Sequence, residues 1–215
     1  MLELIPRIFI YKLFRKFGFP HIMPMNYTIS LLCKCNSRCK TCNVWKKKSD
    51  DLTISEYKLI FKKLGRSPYW ITLSGGEPFL RKDIVKICIE LYKYCKPKII
   101  NIPSNGLLTT TIVKNVKEIA EACTKSQIII NLSIDGIEDK HDEIRNVPGN
   151  YKKVINTFTK LKSLEIDNLA IGIHTVISKL NVEGFSAIAN ELMQLQPDSY
   201  ITEIAEQRIE LDTME

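Results

Sequence analysis

The segment 27–42, YTISLLCKCNSRCKTC, joins a short alternating and then apolar run to four cysteines within ten residues. Tyr27 to Leu32 has the length and composition of a strand. Cys35, Cys39 and Cys42 follow it at spacings of four and three, so three thiolates of one loop can surround one soft metal centre. The segment therefore predicts a strand whose carboxyl end carries a metal-binding loop.

Five further strand-like runs alternate with helix-like segments after this loop. One helix begins at Thr53, where Glu56 completes a capping-box signature. Strands separated by helices predict a parallel sheet built from right-handed crossovers. A closed eight-stranded barrel needs about 250 residues, so we predict an α/β fold, a partial (β/α)6 TIM-like barrel of parallel strands with an N-terminal helix. The further strands are predicted at 69–73, 98–102, 128–132, 169–176 and 200–205, and the helices at 53–64, 83–94, 111–122, 151–164 and 182–195, with a loop from 136 to 150.

The two ends of the chain are expected to lie outside the barrel. Ile5, Ile8, Phe9, Leu13 and Phe17 fall on one side of a basic helix, a pattern typical of peripheral membrane contact. A helix that caps one end of a domain uses the same pattern, so both alternatives stay open. The expected division is an amphipathic helical segment at 1–24, the barrel at 25–205, and a short tail at 206–215 that is truncated relative to full-length relatives.

Composition excludes several classes of protein. Apolar residues make up 45% and charged residues 26% of the 215 residues, which is ordinary for a globular chain and excludes disordered, collagen-like and multi-pass membrane proteins. The net charge of +7 is typical of solvated lysines, and no nucleic acid partner is expected. Seven cysteines, four of them clustered, indicate metal ligands in a reducing compartment. We therefore expect a cytoplasmic protein.

Three further motifs follow predicted strands. They are Ser74-Gly75-Gly76-Glu77-Pro78, Ser104-Asn105-Gly106 and Ser133-Ile134-Asp135-Gly136. Each alone fits a plain turn. Because the carboxyl ends of parallel strands meet at one rim, where ligands bind in such folds, the motifs are expected to converge with the cysteines.

In this order, the Cys-x3-Cys-x2-Cys loop and the three motifs resemble the radical S-adenosylmethionine enzymes. The run from His141 to Arg145, followed by Gly149, resembles the subgroup that modifies peptides and cofactor precursors. The resemblance implies a [4Fe–4S] cluster on Cys35, Cys39 and Cys42, with S-adenosyl-L-methionine on the fourth iron. It also implies reductive cleavage to a 5′-deoxyadenosyl radical that abstracts a hydrogen from an unknown substrate, with a reductant such as flavodoxin or ferredoxin.

The resemblance also implies roles for the remaining motif residues, and it identifies no further catalytic side chain. The methionine amino end would be held by Gly75, Gly76, Glu77 and Pro78. The ribose or carboxylate region would bind Ser104 and Asn105, and the methionine carboxylate would bind Ser133 and Arg145. The adenine would pack near Ile173 and Ile204.

Other interpretations of the cysteines stay open. Cys33 is expected to be an inert strand thiol, but a closed module with four protein ligands would need it as the fourth. Such a module, or a truncated and inactive barrel that binds an iron–sulfur cluster or zinc, is the alternative function. The family usually has an aromatic residue where this chain has Thr41, and Trp45 is the residue that could cover the cluster instead.

Overall fold

The computed structural model describes residues 5–207 together with Leu211 and Thr213. An N-terminal helix precedes six strands that alternate with helices. The elements are α1 (Ile5–Phe17), β1 (Asn26–Ser30), α2 (Ile54–Leu64), β2 (Trp70–Ser74), α3 (Ile84–Cys95), β3 (Ile99–Ser104), α4 (Thr109–Ala122), β4 (Gln127–Ser133), α5 (Glu138–Arg145), α6 (Asn150–Lys162), β5 (Leu169–Ile177), α7 (Phe185–Gln194) and β6 (Ser199–Ile204).

The six strands form one sheet in the order β1-β2-β3-β4-β5-β6, and every neighbouring pair is parallel. This arrangement is a half-barrel with helices, so the predicted partial (β/α)6 barrel is confirmed. All six carboxyl ends lie at the same rim, which is where the cysteine loop and the three motifs begin.

The outer face of the sheet is an apolar layer covered by helices. Side chains that alternate along β2 to β5 are at most 1% exposed and pack with the apolar faces of the helices in one core. Burial on this face explains why the strands are rich in isoleucine, which fits a pleated and covered surface. These strand residues are Ile71, Leu73, Ile100, Ile102, Ile128, Ile130, Leu132, Ile171 and Ile173.

The inner face carries polar side chains that bond to one another across the strands. Asn101 donates its amide to Thr72 Oγ1 at 3.2 Å, and Asn131 donates its amide to Asn101 Oδ1 at 2.9 Å. Buried polar groups need such hydrogen-bond partners. The inner face is thus polar where the outer face is apolar, which suits a barrel whose interior leads to a ligand site.

The capping box at Thr53 is present, as predicted. Thr53 Oγ1 accepts from the backbone N–H of Glu56, and the Glu56 carboxylate accepts from the backbone N–H of Thr53. The predicted loop from 136 to 150 is wrong, because α5 occupies Glu138–Arg145. Its buried residues are His141, Ile144 and Arg145, so the helix shows no apolar periodicity that a sequence pattern could reveal.

The apolar face of α1 is exposed. Ile8, Phe9, Leu13 and Phe17 are each 47–65% exposed, and the predicted fifth member, Ile5, has a side chain outside the described part. Peripheral membrane contact through this face stays a prediction. Within the described part of the chain, no helix has both the length and the apolar character needed to span a membrane. Residues 1–4 and most of the predicted tail likewise lie outside the described residues.

Candidate active site

Ten of the eleven site residues predicted from the sequence line one cavity at the rim. The cavity has a volume of about 300 Å³. Pro78 is the exception, because it is buried at the start of a short turn and does not line the cavity. The ten are Cys35, Cys39, Cys42, Gly75, Gly76, Glu77, Ser104, Asn105, Ser133 and Arg145.

The cysteine loop presents its thiols next to hydrogen-bond donors. The Cys35 sulfur accepts from the backbone N–H of Ser37 at 3.4 Å and from the Asn105 amide at 3.8 Å. The Cys39 sulfur lies 3.1 Å from the Ser37 hydroxyl and 3.6 Å from Arg145 Nη1. Burial raises the pKa of the Cys35 thiol to about 11, so a metal that binds this sulfur must displace its proton.

The two glycines after β2 pack against the start of the cysteine loop. Gly76 N–H donates to Leu32 O at 2.7 Å, and Glu77 N–H donates to Lys34 O at 2.9 Å. An ideal Cβ on Gly76 would lie 2.9 Å from Cys33 O and closer still to Lys34 O. Gly75 has a φ of +119°, where other residues are strained. From the sequence, these glycines are expected to let the backbone approach a ligand. In the structure, the space that a side chain at Gly76 would fill is occupied by backbone atoms of the cysteine loop.

Glu77 joins the loop after β2 to the loop after β3. Its carboxylate accepts from the Ser104 hydroxyl at 2.9 Å, from Asn105 N–H at 2.8 Å and from Phe79 N–H at 3.2 Å. Burial raises the pKa of the Glu77 carboxyl to about 7. The Ser104 hydroxyl is thus engaged within the protein. Among the residues that the structure describes, Ser133 makes no side-chain hydrogen bond, so its hydroxyl remains available to a ligand.

Arg145 ends α5 and faces the cysteine loop. Its guanidinium forms an ion pair with Asp135, with Nη2 2.7 Å from Oδ2. Its carbonyl accepts from Arg38 N–H at 3.2 Å and from the Ser37 hydroxyl at 3.1 Å. Helix α5, which the sequence pattern did not reveal, is therefore the element against which the cysteine loop rests.

His141 is fully buried on the inner side of α5, and its Nδ1 accepts from Asp135 N–H at 3.1 Å. Burial lowers the pKa of His141 to about 4. An unfolded histidine is protonated below about pH 6.5, whereas folded His141 stays neutral until the pH approaches 4. The unfolded state therefore binds more protons between these two pH values. The stability that neutral His141 contributes is complete above pH 6.5 and is lost progressively as the pH falls towards 4.

His141→Asn tests this coupling, because the carbonyl oxygen of the introduced amide can replace Nδ1 as the acceptor while removing the titrating group. We expect the wild type to lose about 2 kcal/mol relative to the variant as the pH falls from 7.5 to 5. Urea denaturation in the presence of a thiol reductant measures both proteins at each pH. A difference between the two that stays constant with pH would contradict the assignment.

The ends of β5 and β6 form a further wall of the cavity. His174, Val176 and Glu203 line the cavity, and His174 Nε2 lies 3.3 Å from Glu203 Oε2. Ile173 itself is fully buried on the outer face, but the end of β5 beside it lines the cavity through His174 and Val176, so adenine packing near Ile173 stays a prediction. Ile204 does line the cavity. Strand alternation could have separated His174 from Ile173, since neighbouring residues point to opposite faces.

The other cysteines lie elsewhere. Cys33 does not line the cavity, while Cys88, Cys95 and Cys123 are buried free thiols, as expected. Within the described residues, no three Cys, His, Asp or Glu side chains are grouped as a single metal ion would need. Trp45 does not line the cavity; its indole donates to Cys42 O at 3.0 Å, and Arg38 lies over its ring.

Comparison with known proteins places the chain in a family. The family model of the radical SAM superfamily matches residues 29–192, which is more than half of the sequence. The chain belongs to the radical SAM superfamily. Its partial barrel is thus that of an enzyme class that binds S-adenosylmethionine and an iron–sulfur cluster.

Radical SAM proteins of several kinds are similar to it. The sporulation killing factor maturation protein SkfB of Bacillus subtilis is 26% identical over 175 residues, covering 79% of this chain and 40% of SkfB. GTP 3′,8-cyclase of Clostridium botulinum is 31% identical over 170 residues, covering 74% of this chain and 50% of the cyclase. The chain therefore spans about half the length, or less, of these curated relatives.

Solved structures share the fold of this chain. SuiB of Streptococcus suis bound to S-adenosylmethionine has a TM-score of 0.73 at 16% identity, covering 99% of this chain and 48% of SuiB. SuiB bound to its precursor peptide SuiA has a TM-score of 0.73 at 17% identity, covering 97% and 45%. At these identities the likeness concerns the fold alone.

Proposed function

We propose that this chain binds a [4Fe–4S] cluster through Cys35, Cys39 and Cys42, binds S-adenosylmethionine beside it, and cleaves that cofactor reductively. The observation that carries the proposal is the convergence of these thiols with the three strand-end motifs on one cavity. Residues as far apart in the chain as Cys35 and Ser133 come together in this cavity, as a shared ligand requires.

The donor set suits the cluster. Three thiols from one loop are the ligands that iron–sulfur clusters take, and a fourth iron is then left for the cofactor. Cys35 and Cys39 each face N–H or O–H donors, which stabilise the negative charge of a metal-bound sulfur. The residues present therefore fit an iron–sulfur cluster with an open position.

When bound, the cluster would supply the electron that reductive cleavage of a carbon–sulfur bond of S-adenosylmethionine needs, so that the resulting 5′-deoxyadenosyl radical could remove a substrate hydrogen. The chain's own residues position the cofactor. The backbone of Gly75 and Gly76 lines the cavity and would face the methionine amino end, with Glu77 beneath it. The available hydroxyl of Ser133 and the guanidinium of Arg145 would face the methionine carboxylate.

The reductant and the substrate come from outside the described site. We propose a low-potential one-electron donor such as flavodoxin or ferredoxin, in the cytoplasm, where the seven free cysteines would stay reduced. SuiB is bound to a precursor peptide in one of its structures. A peptide is therefore the first substrate class to offer this chain.

Reconstitution with iron and sulfide under nitrogen tests the proposal. We expect a brown protein that bleaches with dithionite and releases 5′-deoxyadenosine and methionine from S-adenosylmethionine. A reduced cluster that yields no 5′-deoxyadenosine would instead support the inactive binding module. A protein that takes up only zinc would overturn the proposal as a whole.

A further inference from the structure

Cys39 differs from an ordinary metal-ligand cysteine because an arginine is held against it. Arg145 Nη1 lies 3.6 Å from the Cys39 sulfur, and the Arg145 side chain is 11% exposed. The sequence interpretation assigned this guanidinium to a carboxylate of the cofactor. In the structure, its Nη1 contacts the Cys39 sulfur, a ligand of the proposed cluster, and its Nη2 is bound to Asp135.

Asp135 is itself fixed from several sides. It is 1% exposed, its Oδ2 lies 2.7 Å from Arg145 Nη2, and its Oδ1 accepts from Val176 N–H at 2.9 Å. Its backbone carbonyl accepts from the Asn181 amide at 2.9 Å, and its backbone N–H donates to His141. The carboxylate therefore cannot turn without breaking contacts to β5 and α5, and it sets the direction of the guanidinium.

A cation beside a metal-bound sulfur stabilises the reduced state of the cluster. Reduction adds one electron and no proton, so the reduced cluster carries one more negative charge than the oxidised one. Hydrogen bonds to the sulfurs and nearby charge are among the features that set the potential of an iron–sulfur cluster. Arg145 supplies both to Cys39.

We propose that Asp135 is a positioning residue that holds Arg145 against the Cys39 sulfur and so raises the reduction potential of the cluster. The inference rests on the proposed function, because it needs a cluster on Cys39. Asp135 itself contacts neither the thiols nor the cofactor position, so its effect passes through Arg145.

The chain contains a matched ion pair that serves as a control. Arg81 and Asp83 form a two-pronged pair at 2.8 Å, and the Arg81 side chain is 8% exposed, close to the 11% of Arg145. Neither residue lines the cavity. Asp83→Asn therefore removes a carboxylate from a similarly buried arginine without contact with the cysteines, although Asp83 is 29% exposed and Asp135 only 1%.

The experiment is a redox titration of the reconstituted wild type, Asp135→Asn and Asp83→Asn proteins with dithionite, followed by visible absorption and electron paramagnetic resonance. In Asp135→Asn the introduced amide has no charge and can turn its N–H towards the guanidinium, so Arg145 should leave the sulfur. We expect about a tenfold lower ratio of reduced to oxidised cluster at a fixed potential, about 59 mV for one electron. Asp83→Asn should titrate as the wild type does.

The sign of the shift separates the alternatives. If Arg145 stayed in place, loss of the Asp135 charge alone would raise the potential, so an unchanged or raised potential overturns the inference. Should Asp135→Asn fold poorly, the Asp135→Asn/Arg145→Met double variant leaves no unpaired buried charge. By itself it should show a ratio of reduced to oxidised cluster about tenfold below that of the wild type at the same potential, and a wild-type ratio would overturn the inference.

The two proposals fail in different ways. A wild type that takes up no cluster overturns both. Suppose instead that the wild type and Asp83→Asn bind the cluster and cleave S-adenosylmethionine. If the cluster of Asp135→Asn then has the wild-type reduction potential, only the role of Asp135 is overturned.

Discussion

Replacing Cys35, Cys39 or Cys42 singly with alanine is expected to abolish cluster binding and the release of 5′-deoxyadenosine. Each change removes one of the three thiolates that line the cavity, and the other two cannot hold a cluster that already depends on an exchangeable fourth ligand. Changes in the outer shell of metal sites typically cost about 10–100-fold in affinity or activity, and loss of a direct ligand should exceed that range. Iron and sulfide analysis after anaerobic reconstitution measures the loss.

Cys33→Ser is the matched control for these three variants. Cys33 belongs to the same loop and is partly exposed like the others, but it does not line the cavity. We expect full iron content and normal cleavage of S-adenosylmethionine. If Cys33→Ser lost its metal as the other three variants do, the loop would be a closed site with four protein ligands. That result would contradict the proposed cleavage of S-adenosylmethionine.

Most of the fold follows from local patterns in the sequence. Four strands, β2 to β5, carry an apolar outer row rich in isoleucine, and a cysteine or turn motif follows each of β1 to β4. Their order and parallel direction could therefore be predicted. The predicted and observed bounds of β1 differ at its carboxyl end. Leu31 and Leu32 continue the apolar run and are buried beyond Ser30, where Leu31 N–H donates to Ser74 O at 2.9 Å and Leu32 O accepts from Gly76 N–H at 2.7 Å.

Helix α5 could not be predicted because its buried face is polar. His141 and Arg145 have their partners in the loop after β4 and in the cysteine loop, and only Ile144 gives an apolar signal. For the same reason, the pairing of Asp135 with Arg145 could not be predicted. A sequence shows that a carboxylate and a guanidinium are present, but burial of both in contact depends on how two elements pack.

The candidate site was predictable as a set of residues and not as a set of contacts. A parallel sheet brings every strand end to one rim, which is enough to place the Cys35–Cys42 loop, Gly75 and Ser133 together. What each residue touches depends on the loops. Ser104 bonds to Glu77, and Gly76 packs against Lys34, and neither contact could be predicted from the sequence.

Gly76→Ala is expected to destabilise the protein by more than about 3 kcal/mol, since the new methyl group meets backbone atoms that cannot move without breaking hydrogen bonds. The atoms concerned are the carbonyls of Cys33 and Lys34, and the latter also accepts from Glu77 N–H. Relief of the contact would displace Cys35, which follows Lys34 directly. We therefore expect lower stability and lower iron uptake together, measured by urea denaturation and by iron analysis.

Gly184→Ala is the control, because Gly184 has an ordinary negative φ and no atom within 4 Å of an added Cβ. Its unfolding free energy should change by less than about 1 kcal/mol, and its iron content should not change. The comparison also decides what Gly76 is for. A Gly76→Ala protein of normal stability that fails only to bind S-adenosylmethionine would assign the glycine to the cofactor. Loss of stability in the metal-free protein, before any cofactor is present, assigns it to the docking of the cysteine loop on the loop after β2.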